Sequence, residues 1–203
     1  MSVHSIVRLG HPALRTQAKP VDVDRLADEG FQELIDDMIE TMRALSGVGI
    51  AAPQLGIPLQ IFVYEVSPKA ASRKQAREGE DEARAAEDAA AREIPLHVVV
   101  NPMITAQPGE LVYDWEGCLS IPDLRGLVPR HPAVRVRGLD RKGQRLDYSA
   151  SGFEARIVQH EFDHLNGVVF LDRMRDLKAL AYLDEWERYM GVGAEAPAPA
   201  PVG

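Results

Sequence analysis

Cysteine is nearly absent: the 203 residues contain one, Cys118. No internal disulfide can form, so the fold has to rest on a hydrophobic core, which a chain of this length can build. In a reducing cytoplasm Cys118 is a free thiol, a packing residue or a metal ligand. Basic residues are also in short supply, 23 against 31 acidic, for a net charge of −8. That balance excludes general nucleic-acid binding, which needs a dominant basic footprint. No apolar run approaches the ~20 residues of a membrane span. The opening Met1–Gly10 lacks the charged head and apolar middle of a signal peptide. The chain reads as a soluble cytoplasmic protein, and it contains no internal repeat.

What is present is an ordinary globular pattern. Two turn signals, Gly10-His-Pro12 and Lys19-Pro20, make residues 6–23 irregular. From Asp24 to Leu45 apolar residues recur at three- and four-residue steps: Phe31, Leu34, Ile35, Met38, Ile39, Met42 and Leu45. This spacing predicts an amphipathic helix whose methionines belong to the core, ended by Gly47. Strands are expected at Leu59–Val66, Leu96–Val100, Leu111–Trp115 and Val134–Arg137, with Gln144–Ser149 returning as a hairpin partner. A second helix opens at Ser151, where Glu154 completes a capping box, and stops at Gly167. A third is expected over Leu177–Met190. Residues 69–93 hold nine alanines and 13 charged residues, and no Val, Ile, Leu or aromatic. Such a segment cannot bury a face and reads as a solvated helix or a mobile insertion. The Ala/Pro tail, 192–203, reads as disordered, leaving 1–191 as a single domain.

The second helix carries His160-Glu-Phe-Asp-His164. At 3.6 residues per turn the two histidines stack on one face, roughly 6 Å apart along the axis. Two imidazoles so placed can share a metal ion, and Glu161 can reach an attacking water as general base. A catalytic ion usually takes a third protein ligand. The histidine that metzincin proteases place six residues later is Phe170 here, so that arrangement is excluded. A downstream glutamate, Glu185 or Glu187, is allowed by spacing. The other candidate is Cys118, in Glu116-Gly-Cys-Leu-Ser120, between a strand and a proline turn. A thiolate with two imidazoles suits Fe²⁺, Zn²⁺, Co²⁺ or Ni²⁺.

Three motifs occur in order: Gly47-Val-Gly-Ile-Ala-Ala-Pro-Gln54, Glu116-Gly-Cys-Leu-Ser120 and Gln159-His-Glu-Phe-Asp-His-Leu-Asn-Gly167. Together they resemble peptide deformylase over roughly residues 6–173. Asn101-Pro102, Ile121-Pro122 and Val128-Pro-Arg130 agree with the same pattern. The resemblance implies an α+β fold, three antiparallel sheets around a central metal-bearing helix, with an N-terminal amphipathic helix and a C-terminal helix. It implies Cys118, His160 and His164 as ligands of one Fe²⁺, replaceable by Zn²⁺, Ni²⁺ or Co²⁺. It implies hydrolysis of the formyl group from the N-terminal formylmethionine of new polypeptides, by a monomer that can meet them on the ribosome near the exit tunnel. The charged insertion and the Ala/Pro tail depart from the pattern, and neither touches a motif.

On that reading Glu161 moves the proton. The Gln54 amide and the backbone N–H of Leu119 donate to the oxyanion. Gly47 and Gly49 let the backbone approach a peptide closely or adopt positive φ, with substrate lying along Val48 and Gly49 as an added strand. Val48, Phe153 and Ile157 are the candidates for a methionine pocket. Glu116 is expected beside the substrate, orienting a ligand or pairing with Arg125. Arg156 lies near the same helix face with no assigned partner.

Overall fold

The computed structural model describes residues 2–67 and 93–190. The expected insertion at 69–93 and the tail fall almost wholly outside the described residues. Strand β2, Ile61–Val66, explains the layering. It is apolar on both faces and almost fully buried. Ile61 and Val63 point to one side, where they meet Phe31, Ile35, Met38, Ile39 and Met42 of helix α1, Glu29–Ala44. Phe62, Tyr64 and Val66 point to the other, where they meet Ala155, Ile157, Val158 and Leu165 of helix α2, Gly152–Leu165. Alternation along a strand buried on both faces thus puts one helix on each side of the sheet.

That sheet has five strands in the order β1-β2-β3-β6-β7. The others are β1, Gly49–Ala51; β3, Ile94–Ala106; β6, Ala133–Leu139; and β7, Arg145–Ser151. A second sheet has the order β4-β5-β8, from Val112–Cys118, Ile121–Arg130 and Leu180–Tyr182. All the strand pairs in both sheets are antiparallel. Among the described residues there are two sheets where the resemblance implied three. The α+β class and the central position of α2 are as expected.

Helix α1 begins at Glu29 rather than Asp24, because Val23–Ala27 forms a separate 3₁₀ turn capped by the Asp22 side chain. Ser151 does precede α2, but its side chain makes no cap hydrogen bond. It is held extended as the last residue of β7, opposite Ala133. Glu154, the other half of the expected box, instead accepts from the Tyr64 hydroxyl at 3.0 Å. The expected C-terminal helix is broken into three pieces. Leu177–Ala179 is a 3₁₀ turn capped by Asp176, and Leu180–Tyr182 pairs with Leu124–Gly126 as β8. Only Leu183–Tyr189 is helical; this is α4, after a short α3 at Phe170–Arg173. Strand β5 went unrecognised in the sequence, since Pro122, Pro129 and Gly126 obscure its pattern.

Candidate metal centre

Strand β4 and helix α2 bring together the residues that the sequence set apart. Cys118 ends β4 where the register slips between Glu116 and Cys118, and it faces Ile121 across a tight turn. The slip re-aims its side chain, as bulges do beside functional sites. His160 and His164 stand one turn apart on α2, their rings 5.0 Å apart and close to edge-on. One ligand atom from each of Cys118, His160 and His164 lies within 4.8 Å of the other two. Cys118 Sγ is 3.3 Å from His164 Nε2. His160 Nδ1 is 2.9 Å from Glu116 Oε2, which leaves Nε2 as the ring nitrogen on the Cys118 side. One sulfur and two imidazole nitrogens so gathered fit a single transition-metal ion. Glu185 and Glu187, the glutamates that spacing allowed, sit exposed on α4, and Glu185 pairs with Arg188.

Two further groups converge on this cluster. Gln54 lies in the 3₁₀ turn Ala52–Leu55 after β1 and is buried. Its Oε1 accepts from the Ala51 N–H at 2.8 Å, which fixes the amide and sends Nε2 to within 3.6 Å of Cys118 Sγ and 3.4 Å of Ser120 Oγ. Glu161 is 4% exposed, and its Oε2 has no hydrogen-bond partner. Burial pushes its carboxyl up to about 7. A carboxyl poised there, against a potential metal site, is suited to take and return a proton.

Gly49 and Gly47 keep the site open for these groups. Neither adopts positive φ among the described residues. A Cβ on Gly49 would lie 2.9 Å from Glu161 Cδ, and one on Gly47 would lie 3.0 Å from Leu119 Cδ1. The tight approach is therefore to this chain's own side chains.

Glu116 is 5% exposed and fills one of its two expected roles: its Oε2 meets His160 Nδ1 at 2.9 Å and so orients a candidate ligand. Arg125 is not its partner: the Arg125 guanidinium lies against Gly117 and donates to the Leu124 carbonyl at 3.0 Å. Arg130 takes that place, donating to both Glu116 oxygens at 2.8 and 2.9 Å and to Asp163 Oδ2 at 2.6 Å. Arg173 closes on the other side of Asp163 at 2.6 Å. Burial alone would raise the Glu116 carboxyl, but Arg130 and His160 hold it well below the usual range. Burial alone would lower His160, but Cys118 and Glu116 hold it well above its ordinary value. His164 is held well below, by burial and then by the neighbouring His160.

Val48, Phe153 and Ile157 do come together, in the core that α2 shares with the larger sheet. Ile157 is 4% exposed, and the other two form the rim of that cluster. Arg130, Asp163 and Arg173 escaped the sequence reading. The one signal available was that Asp163 and Arg130 sit inside or beside the quoted motifs.

The chain is similar to known proteins over most of its length. The polypeptide deformylase family profile matches residues 3–180. "Peptide deformylase 1" of Nitrosomonas europaea is 38% identical over 184 residues, covering 90% of this chain and 93% of the relative. "Peptide deformylase 2" of Bordetella bronchiseptica is 41% identical over 182 residues, with the same two coverages of 90% and 93%. A class I type b peptide deformylase from Acinetobacter baumannii, solved with Met-Ala-Ser bound, superposes with a TM-score of 0.71 at 34% identity, over 85% of this chain and 99% of that one. The Thermotoga maritima peptide deformylase gives 0.69 at 34% identity, over 87% and 100%.

Proposed function

Because this chain belongs to the polypeptide deformylase family, we propose that Cys118, His160 and His164 hold its metal ion and that Glu161 is its catalytic base. The protein is a hydrolase that removes the N-formyl group from newly made polypeptides. The observation that carries the residue assignment is convergence. A fixed amide donor reaches the Cys–His–His cluster, and a buried carboxyl with one unpartnered oxygen stands on the residue next to His160.

The bound ion supplies Lewis acidity and lowers the pKa of water in its sphere. The chain does the rest. Substrate adds to the free edge of β1, the outermost strand of the larger sheet, along Val48 and Gly49. Val48, Phe153 and Ile157 receive the methionine side chain. Glu161 takes the proton of the attacking water and returns it to the departing amine, so that formate and a free N-terminus result. Gln54 Nε2 and the Leu119 N–H donate to the oxyanion that forms between these events. Removing one such donor costs on the order of 3 kcal/mol of transition-state stabilisation.

The thiolate and two imidazoles suit Fe²⁺, Zn²⁺, Ni²⁺ or Co²⁺ alike; the resemblance to the family selects Fe²⁺ among them, with the others as substitutes. We further take residues 1–191 as one domain, acting as a monomer in the cytoplasm on chains leaving the ribosomal exit tunnel. Its substrates emerge there, and no described helix is long and apolar enough to cross a membrane.

The test is formate release from a short formyl-Met peptide. The protein is prepared without oxygen and loaded with Fe²⁺, with Glu161→Ala beside it. Rapid release that the substitution abolishes is expected. Iron bound at one equivalent without release would overturn the assignment.

A further inference from the structure

Arg156 sits one helical turn before His160 on α2, on the same face. It is 6% exposed. Its guanidinium crosses from α2 to the smaller sheet and meets both strands of the hairpin that carries Cys118. On β4 it donates to the Val112 carbonyl at 2.7 Å, to Glu116 Oε1 at 2.8 Å and, more distantly, to the Asp114 carbonyl at 3.4 Å. On β5 it donates to the Val128 carbonyl at 2.9 Å.

Glu116 is the link to the cluster. Its Oε1 accepts from Arg130 Nε and Arg156 Nη1. Its Oε2 accepts from Arg130 Nη2 and His160 Nδ1. Each oxygen therefore serves two donors, and the carboxylate is saturated. Arg130 alone would leave Glu116 free to pivot about their paired bonds. The Arg156 bond to Oε1 removes that freedom, and Oε2 is held where it meets the His160 ring. The same side chain ties the backbone of β4 to α2, which sets the spacing between Cys118 and the two histidines. A buried ion pair is weak support for stability, so a guanidinium placed here is better explained by the geometry it secures.

From this arrangement we infer that Arg156 is a positioning residue for the metal centre: acting through Glu116, it fixes the His160 ring and the distance from the Cys118 hairpin to α2. The inference rests on the reading of Cys118, His160 and His164 as metal ligands. Arg156 is assigned no contact with substrate.

Co²⁺ is the probe. The full chain is loaded with Co²⁺; affinity is read by competition with a chelator, and ligand geometry by the visible and thiolate charge-transfer absorption bands. Arg156→Met keeps the length of the side chain and removes its donors. It should weaken Co²⁺ binding at least tenfold and change the absorption bands, in line with losses at groups that orient metal-bound histidines. Arg156→Lys, which restores one charged donor, should recover part of the affinity. Ile35→Ala in the α1 core lowers the unfolding midpoint without touching this network, and should leave affinity and bands as in the parent. If Arg156→Met does not fold, Arg156→Lys must still show weakened binding and altered bands. Parental affinity and bands in the folded Arg156 variants would overturn the inference. Failure of the unaltered protein to bind Co²⁺ would instead overturn the ligand assignment, and this inference with it.

Discussion

A methyl group on Gly49 would lie 2.9 Å from Cδ of Glu161, closer than real Cβ atoms approach a neighbour. The carboxylate is packed directly on the backbone of the strand along which substrate is proposed to lie. Gly49→Ala must therefore push the Glu161 side chain aside. We expect metal content to stay at one equivalent while kcat/KM falls about 100-fold, the usual scale for a displacement near 1 Å. Parallel measurement of formate release and bound metal checks this. Near-parental turnover would show that the carboxylate has room to move.

Glu161 itself ought to cost stability. Burial raises its carboxyl from 4.5 to about 7, so the folded state binds more protons than the unfolded state between those values. Stability then falls as pH rises from 4.5 towards 7, and stays lower above. In metal-depleted protein Glu161→Gln should be more stable than the parent at pH 8, by up to about 3 kcal/mol. The gain should vanish below pH 4.5. Urea unfolding at the two pH values measures it. An equal difference at both would mean that the carboxyl is not perturbed in this way.

The Glu116 network has the opposite sign. Burial would raise this carboxyl, but Arg130 and His160 hold it below its ordinary value of 4.5. Its contribution is therefore fully present above that value and is lost as pH falls through the lower folded pKa. Glu116→Gln leaves Arg156 buried without its carboxylate and Arg130 with Asp163 alone, and should lower stability at pH 7 by about 3–5 kcal/mol. The gap in stability between variant and parent should be constant from pH 7 to about 4.5 and narrow as pH falls below it. A gap that does not narrow below pH 4.5 would count against the ion pairs as its source.

How much of this was legible beforehand depended on the range of the interactions. The cores of α1 and α2 were readable because a 3.6-residue apolar period is a local property of the chain. His160, Glu161 and His164 were readable because a helix brings positions i and i+4 together. The third ligand remained open on spacing alone, since Cys118 reaches His164 across 46 positions in sequence. For Glu116 the sequence offered the orienting of a ligand or a pair with Arg125; it does meet His160, but its arginine is Arg130, five residues further along β5. The strand alternation that decides between them was hidden by prolines. Arg156 drew notice only as a charge on an apolar face. Its four acceptors lie on two strands that the sequence does not bring together.

Cys118→Ser separates this centre from a metallopeptidase built on the two histidines and a glutamate. With the sulfur gone, one of three clustered ligand atoms is replaced by a poor donor. Metal content should drop well below one equivalent after gel filtration, and formate release with it. A variant that kept its metal and cleaved unformylated peptides internally would establish the other reading.

The pairing of β2 with β3 bears on the charged insertion. Val66 stands opposite Ile94, so these strands form an antiparallel pair whose ends are already adjacent. A turn of two to five residues is enough to join such ends. Residues 67–93 can therefore be replaced by a short Asn-Gly-containing turn without altering the register. For a flexible connection, going from 27 residues to about four lowers the closure cost by roughly 1.7 kcal/mol. We expect the shortened protein to unfold no earlier than the parent and to release formate at the parental rate. The end of this hairpin lies near the proposed substrate strand, since the Glu65 N–H donates to the Val48 carbonyl at 3.0 Å. A segment that reached over the bound peptide would show itself in one way: KM would rise on shortening while kcat held. That outcome would give residues 67–93 a part in binding the nascent chain and would withdraw their reading as a plain solvated insertion.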